Sequence, residues 1–322
     1  MPSTHSRLYH TGRWTKNMLW VMFRTVLLFG VSFIILYPLI YMLSIAFRDL
    51  SDMQDPSIVW IPKNFTLDAI KDAYEAMKYP ESLWNTVKFD VISSLLQLVS
   101  CSLVGYGFAR FQFKGKGLFF ALAVMTIVIP PQVVYTPTYL YYREFDFLGI
   151  GSLIGLFTGQ ALTVSLLDSP LTLYLPALFG VGIRSGLFIY IFRQVYRGLP
   201  KELEDAAYID GCGFVKTFLR VILPNARSAF LMVFLFSLVW YWNDYYYATM
   251  YFTNTNTIST SLANLTTHLS QLKGMAEIIN DSYLISTRMQ AGCLLSIIPI
   301  LVLYIFLQKY FTEGLERTGL VG

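Results

Sequence analysis

Apolar residues gather in six long blocks separated by polar stretches: residues 26–47, 87–109, 118–140, 171–192, 229–242 with an aromatic extension to 250, and 284–307. A helix needs about 20 residues to cross ~30 Å of hydrocarbon at 1.5 Å each. The pattern therefore predicts an all-α, polytopic membrane protein with about six transmembrane helices. Pro130, Pro131 and Pro137 are expected to break the third block, where an interrupted helix can expose backbone to a passing solute. The first block lacks a small-residue cleavage site behind a short apolar core, so no removed signal peptide is expected.

Composition agrees with this class. Of 322 residues, 55% are hydrophobic and only 14% charged, where soluble domains carry about a quarter. Lys and Arg set the orientation. Fifteen of them flank one side: Arg7, Arg13, Lys16 and Arg24 before the first block, Arg110, Lys114 and Lys116, six between Arg193 and Arg227, and Lys309 and Arg317. The opposite loops hold seven. Both termini are thus expected in the cytoplasm and residues 48–81 outside. The net charge of +4 is mostly this topology signal and gives no ground for nucleic-acid binding. The apolar stretch 153–167 is too short to cross. It reads as an extra external helix or re-entrant turn, because a seventh crossing would invert the later loops against the charge count.

The chemistry in the chain is sparse. Cys101 and Cys293 fall inside apolar blocks and Cys212 in a charged segment, so no disulfide framework is expected. His5, His10 and His268 lack metal-ligand spacing, and no phosphate-cradling Gly-x-x-x-x-Gly-Lys motif occurs. No cofactor or metal is implied, and nothing resembles a catalytic constellation. Arg184 lies inside the fourth block beside Gly182-x-x-x-Gly186. An embedded charge there faces a cavity or a partner, and the glycines allow a close helix approach. Trp242, Asn243, Asp244 and Tyr245 close the fifth block. They fit either an aromatic belt at the interface or a surface on which a sugar ring stacks and hydrogen-bonds.

Residues 200–213 differ from their surroundings. Pro200 suits a first helical position. Glu202, Glu204 and Asp205 suit the positive end of the dipole, and Gly211 and Gly213 can stop the helix. Leu203, Ala206, Ala207 and Asp210 follow helical spacing, and paired alanines allow another backbone to approach closely. An interfacial helix would be rich in Lys and Arg with large apolar residues opposite; this one is acidic with small residues. It reads as a short cytoplasmic helix offered to a soluble partner.

The run Asp205-Ala206-Ala207-x-x-Asp210-Gly211, then nine intervening residues and Val221-x-Leu223-Pro224, resembles the EAA motif of permease subunits of bacterial binding-protein-dependent ABC importers. The lead-in through Phe192, Arg193, Gln194 and residues 199–204 resembles the carbohydrate branch, similar to the smaller permease of the maltose transporter. Asn85-Thr86, residues 105–115, Ile129-Pro130, Thr136-Pro137, Trp242-Asn243-Asp244 and the tail 308–322 extend the resemblance over about 84–322. Asp205 stands where Glu is usual and Cys212 where Ala is common.

The resemblance implies a type I ABC importer permease fold. It gives a first helix and external segment over 1–83, a permease core over 84–309 with a coupling helix at 200–213, and a cytoplasmic tail over 310–322. It assigns ATPase coupling to Glu204, Asp205, Ala206, Ala207, Asp210, Gly211, Leu223 and Pro224. Arg184, Trp242, Asn243, Asp244 and Tyr245 become candidates for the translocation pathway. The implied partners are a second permease in a heterodimer, two ATPase subunits, an extracellular solute-binding protein, a carbohydrate (an oligosaccharide) and the bilayer. The external segment between Leu148 and Ser169 is longer than is usual in the family, and its apolar stretch 153–167 is expected to help dock the binding protein or the sister permease. The rivals are a secondary transporter driven by an ion gradient, for which Asp90 is the candidate acid, an ABC permease for a solute other than a sugar, and a membrane enzyme, against which the sparse histidines and the lack of a paired-carboxylate or metal-binding constellation argue.

Overall fold

The computed structural model describes residues 4–160, 162–272 and 281–319. Lys273, counted above among the external charges, lies outside them. The described residues form helices α1 (Thr4–Ala46), α2 (Leu50–Gln54), α3 (Asp68–Ala76), α4 (Tyr79–Arg110), α5 (Lys116–Val128), α6 (Pro131–Arg143), α7 (Ile150–Thr158), α8 (Leu171–Leu178), α9 (Ser185–Gly198) and α10 (Glu202–Ile209). Then come α11 (Phe214–Thr217), a π-helical turn Phe218–Ile222, α12 (Leu223–Asn225), α13 (Arg227–Trp242), α14 (Tyr246–Tyr251), α15 (Ile258–Ala263), α16 (Leu265–Gln271) and α17 (Ser282–Gly319). Two isolated antiparallel bridges are the extent of strand pairing among the described residues. The all-α class stands.

Three helices are long and apolar enough to cross a bilayer unaided: Asn17–Ala46 of α1, all of α4, and Ser282–Gln308 of α17. The third predicted crossing is the pair α5 and α6, bent by 100°. The cause is local. Pro131 disfavours helical backbone in the residue before it, and both Ile129 and Pro130 are extended. Pro131 then opens α6 where its missing N–H costs nothing. Pro137, expected to break the helix too, sits within α6. The fifth predicted block corresponds to α13, which follows Phe214–Asn225 across a bend of 78°. The π turn and Pro224 account for that bend.

The fourth block differs from its prediction. Instead of one helix it forms α8 and α9, separated by Phe179–Arg184. Gly180, at φ +71°, ends α8: the Val181 N–H donates to the Pro176 carbonyl (2.9 Å) and the Gly180 N–H to that of Ala177 (3.3 Å). This pairing is a Schellman motif, which needs the left-handed conformation glycine adopts freely. Arg184 therefore lies in the connection, itself left-handed at φ +58°, and not within a helix. The aromatic run after Trp242 is also interrupted, at Asn243–Tyr245, before α14 begins.

The described residues divide into two compact units, one drawn from 4–73 and 269–295, the other from 74–268 and 296–319. In the first, the loop after α1 is stitched by buried polar groups. Asp52 accepts from the N–H groups of Lys63 (2.7 Å) and Asn64 (2.9 Å), and Arg48 donates to the Val59 carbonyl (2.6 Å). Arg288 pairs with Asp72 at 2.7 Å.

The second unit is built around α4, whose packed side is dotted with small polar residues. Gln97 donates to the Ile183 carbonyl (2.6 Å) and to Ser185 Oγ (2.9 Å). It accepts from Ser237 (3.1 Å). Ser100 donates to the Ala177 carbonyl (2.6 Å), and Ser102 meets the Tyr196 hydroxyl at 2.6 Å. In lipid, such bonds and small residues hold helices together where the hydrophobic effect does not. At Gly105 a Cβ would stand 2.6 Å from Cβ of Phe192, so α4 and α9 meet backbone to backbone. Around them Tyr106, Phe188, Phe192, Tyr196, Phe218, Ile222 and Val233 form the core.

Candidate functional site: a short acidic helix and a membrane cleft

The helix α10 is shorter than the segment 200–213 that predicted it. The Lys201 carbonyl accepts from Glu204 N–H (2.9 Å) and Asp205 N–H (3.1 Å), so helical bonding starts after Pro200 rather than at it. Its end is defined by Gly211 at φ +78°. The Cys212 N–H donates to the Ala207 carbonyl (2.9 Å) and the Gly211 N–H to that of Tyr208 (3.0 Å), a second Schellman motif.

Its two faces do different things. Glu204 and Ala207 turn inward and are buried. Glu204 Oε1 accepts from Arg110 Nε at 2.7 Å, and a second guanidinium nitrogen of Arg110 donates to the Leu199 carbonyl at 2.9 Å. Both side chains of this ion pair are almost wholly buried, 7% and 11% exposed. Arg110 is the last residue of α4 and Leu199 follows α9, so one guanidinium ties the membrane helix to both ends of the connection leading into α10. Beneath it, Tyr106 packs on Phe214 and Phe218 (ring centroids 5.5 and 5.0 Å). The close approach expected at Ala207 is thus to this chain's own helices. Facing out are Leu203, Asp205, Ala206, Asp210 and Gly211, with Ile209 86% exposed. Leu223 and Pro224 belong to the bend before α13; Leu223 is half-buried and Pro224 exposed. Sequence reasoning counted Arg110 only as a topology charge and missed its role as the anchor of α10.

In the second unit, two adjoining cavities of ≈ 290 and ≈ 410 Å³ lie between α6, the α8–α9 connection and α14, sharing Val134, Val181, Gly182, Ile183 and Tyr247. Arg184 lines the larger one. Its guanidinium carbon stands 5.5 Å from the Trp240 ring centre, and among the described residues no carboxylate pairs with it. Gly186 fulfils its predicted role, since a Cβ there would fall on Thr126 Oγ1 and the Ala123 carbonyl of α5.

The other candidates scatter. Trp242 is buried and donates from Nε1 to the Ser296 carbonyl (3.1 Å). Asn243 folds back onto the Val239 carbonyl (2.8 Å). Tyr245 is exposed and lines neither cavity. Asp244 accepts from the Ala248 N–H (3.1 Å) and borders a separate, water-sized space of ≈ 20 Å³ with Asp90. The aromatic lining comes instead from Tyr142, Tyr241, Tyr247 and Tyr251. Tyr135, on α6, stacks on Tyr246 (5.4 Å) and meets Tyr247 edge-on (4.7 Å). The available signal was the spacing of Tyr135, Tyr139 and Tyr142, and of Tyr247 and Tyr251, which puts each set on one helical face.

Residues 101–317 match the family model described as "Binding-protein-dependent transport system inner membrane component". The chain is 27% identical to the arabinooligosaccharides transport system permease protein AraQ of Halalkalibacterium halodurans, over 91% of this chain and 93% of that one. It is 26% identical to the polygalacturonan/rhamnogalacturonan transport system permease protein YtcP of Bacillus subtilis, over 93% and 97%. A chain of the crystal structure of a bacterial ABC transporter that imports the acidic polysaccharide alginate superposes with a TM-score of 0.68. That match has 20% identity and covers 92% of this chain and 98% of the other.

Proposed function

The chain belongs to the family of binding-protein-dependent transport system inner membrane components, and from that premise we propose that it is one permease of an ATP-driven importer for an oligosaccharide. A second, different permease completes the pathway. Two ATPase subunits drive it, and an extracellular binding protein delivers the solute. The Lys/Arg asymmetry supports a cytoplasmic placing of both termini and of α10. The sugars named for the relatives support the solute class. The tyrosine-lined cavities support it independently, since aromatic faces with a few polar groups suit a sugar ring.

The observation that carries the coupling reading is the buried Arg110–Glu204 pair. It fixes the inner face of α10 to the end of α4 and leaves Leu203, Asp205, Ala206, Ile209 and Asp210 exposed. An ATPase groove of apolar and basic character would grip that outer face. ATP binding then closes the ATPases, moves α10 and shifts the membrane helices toward an outward-facing arrangement, by differential binding to the two states. Arg184 supplies the cation of the pathway; Trp242 and Asn243 are structural supports of it.

The test addresses the outer face alone. Ala206→Trp and Ile209→Asp alter exposed positions and leave Glu204 and Ala207 in place. Both variants should reach the membrane at normal abundance and lose the ATPase subunits on co-purification, with uptake lost in parallel. Retention of both ATPase and uptake would make α10 an interfacial helix.

A further inference from the structure

No charged side chain occurs between Asp146 and Asp168. The described part of this stretch folds as a hairpin. A 3-10 turn (Phe147–Gly149) leads into α7, Gly159 ends it, and the return segment brings Val164 back opposite Phe145. Phe145 and Val164 exchange both backbone bonds (3.0 and 3.1 Å). The Leu162 N–H donates to the Gly151 carbonyl (3.3 Å) and the Gly159 N–H to that of Gly155 (2.8 Å). The Asp146 carboxylate accepts from the N–H groups of Gly151 (2.6 Å) and Ser152 (2.8 Å) at the start of α7. Gly151 is required here, because a Cβ would fall on the Leu162 carbonyl. The small residue faces the return segment. Ile150, Leu153, Ile154, Leu156 and Phe157 point away, with Leu156 80% and Phe157 91% exposed.

We propose that this hairpin is a re-entrant element that seats α7 in the outer leaflet of the bilayer, so that lipid acyl chains, and not a protein subunit, cover Leu153, Leu156 and Phe157. Nine residues make a helix of about 14 Å, roughly half of a ~30 Å hydrocarbon core. Irregular backbone is excluded from lipid unless its polar groups are satisfied, and here the helix start, the helix end and the return segment each bond within the hairpin. The preceding helix α6 likewise exposes apolar side chains, Val133 and Leu140, outside the two cavities.

Its two ends carry the anchors that belong in water. Ser152 and the backbone of Gly151 hold the Asp146 carboxyl below its usual range, so it stays ionised. Asp168 is fixed by the N–H groups of Thr253 (2.6 Å) and Asn254 (2.7 Å). Tyr141 sits at the same level, its hydroxyl donating to the Asp146 carbonyl (3.3 Å), as interfacial aromatics do. A protein partner would meet polar groups at its rim, about one hydrogen bond per 100–200 Å². Residues 153–157 offer no polar side chain.

The test uses the assembled complex in vesicles of phosphatidylcholine and phosphatidylglycerol, in a Cys212→Ser, Cys293→Ser background; Cys101 is fully buried. A nitroxide is attached at Phe157→Cys and, separately, at Leu156→Cys. Asn254→Cys serves as the aqueous control. Collisions with oxygen should exceed those with a water-soluble nickel chelate several-fold at 156 and 157, with the order reversed at 254. Dominant nickel collisions at 156 and 157 would place the hairpin in water. Exclusion of both reagents would place it under a sister permease or the binding protein. Either result overturns the proposal, and neither depends on whether α10 couples to an ATPase.

Discussion

Gly211 and Arg184 share a left-handed backbone and differ in what it serves. At Gly211, φ +78° lets α10 end in two carbonyl-capping bonds. A β-branched side chain in that region costs about 1–2 kcal/mol. Gly211→Val should therefore fray the end of α10 and weaken ATPase co-purification several-fold at unchanged membrane abundance. Gly211→Asn should retain most of it, since Asn tolerates this conformation. Equal retention by both variants would show that the motif is not needed. At Arg184 the left-handed backbone sets a charged group in the lining of the larger cavity. Arg193, by contrast, lies over the Phe120 ring at 3.9 Å, a packing contact. Arg184→Ala should lower uptake with ATPase attachment intact, and more than Arg193→Ala does; equal uptake at equal abundance would refute a pathway role for Arg184.

Helix type was legible in the sequence; helix continuity was not. Each of the six apolar blocks is helical, because a run of apolar residues long enough to cross has no other way to satisfy its backbone in lipid. Hydrophobicity does not register where a helix breaks. Gly180 with Arg184, the Pro130–Pro131 pair and Asn243 set those points through backbone conformation and capping, and only the prolines gave a readable sign. Close approaches were more visible: Gly186 does bring α9 against α5. Overpacking such a contact costs typically about 1–3 kcal/mol. Gly186→Leu should accordingly lower the thermal midpoint of the purified complex. Gly117→Ala, where a Cβ meets nothing within 4 Å, should leave it unchanged or raise it. A Gly186→Leu midpoint equal to the unmodified one would contradict the α5–α9 packing.

Taken as a whole, the molecule is a multi-pass membrane component whose proposed orientation rests on charge. Labelling by an impermeant maleimide should reach Ser57→Cys from outside intact cells and not Lys114→Cys, both positions being exposed; the opposite pattern would invert the topology. The Arg110–Glu204 anchor of α10 was hidden from the sequence because its partners stand 94 residues apart. An arginine at a membrane boundary reads as a topology marker whether or not it also forms a buried pair. Removing one partner of a buried ion pair costs about 3–5 kcal/mol by leaving the other charge unpaired. Glu204→Gln keeps the shape of the side chain and the whole outer face of α10. The decisive measurement is uptake per ATP hydrolysed by the Glu204→Gln complex in proteoliposomes with its binding protein. ATPase subunits should stay attached and hydrolysis persist, with uptake per ATP down by about tenfold or more, the change that ~1.4 kcal/mol brings to an equilibrium. An uptake-to-hydrolysis ratio equal to that of the unmodified complex would contradict the coupling role of the pair.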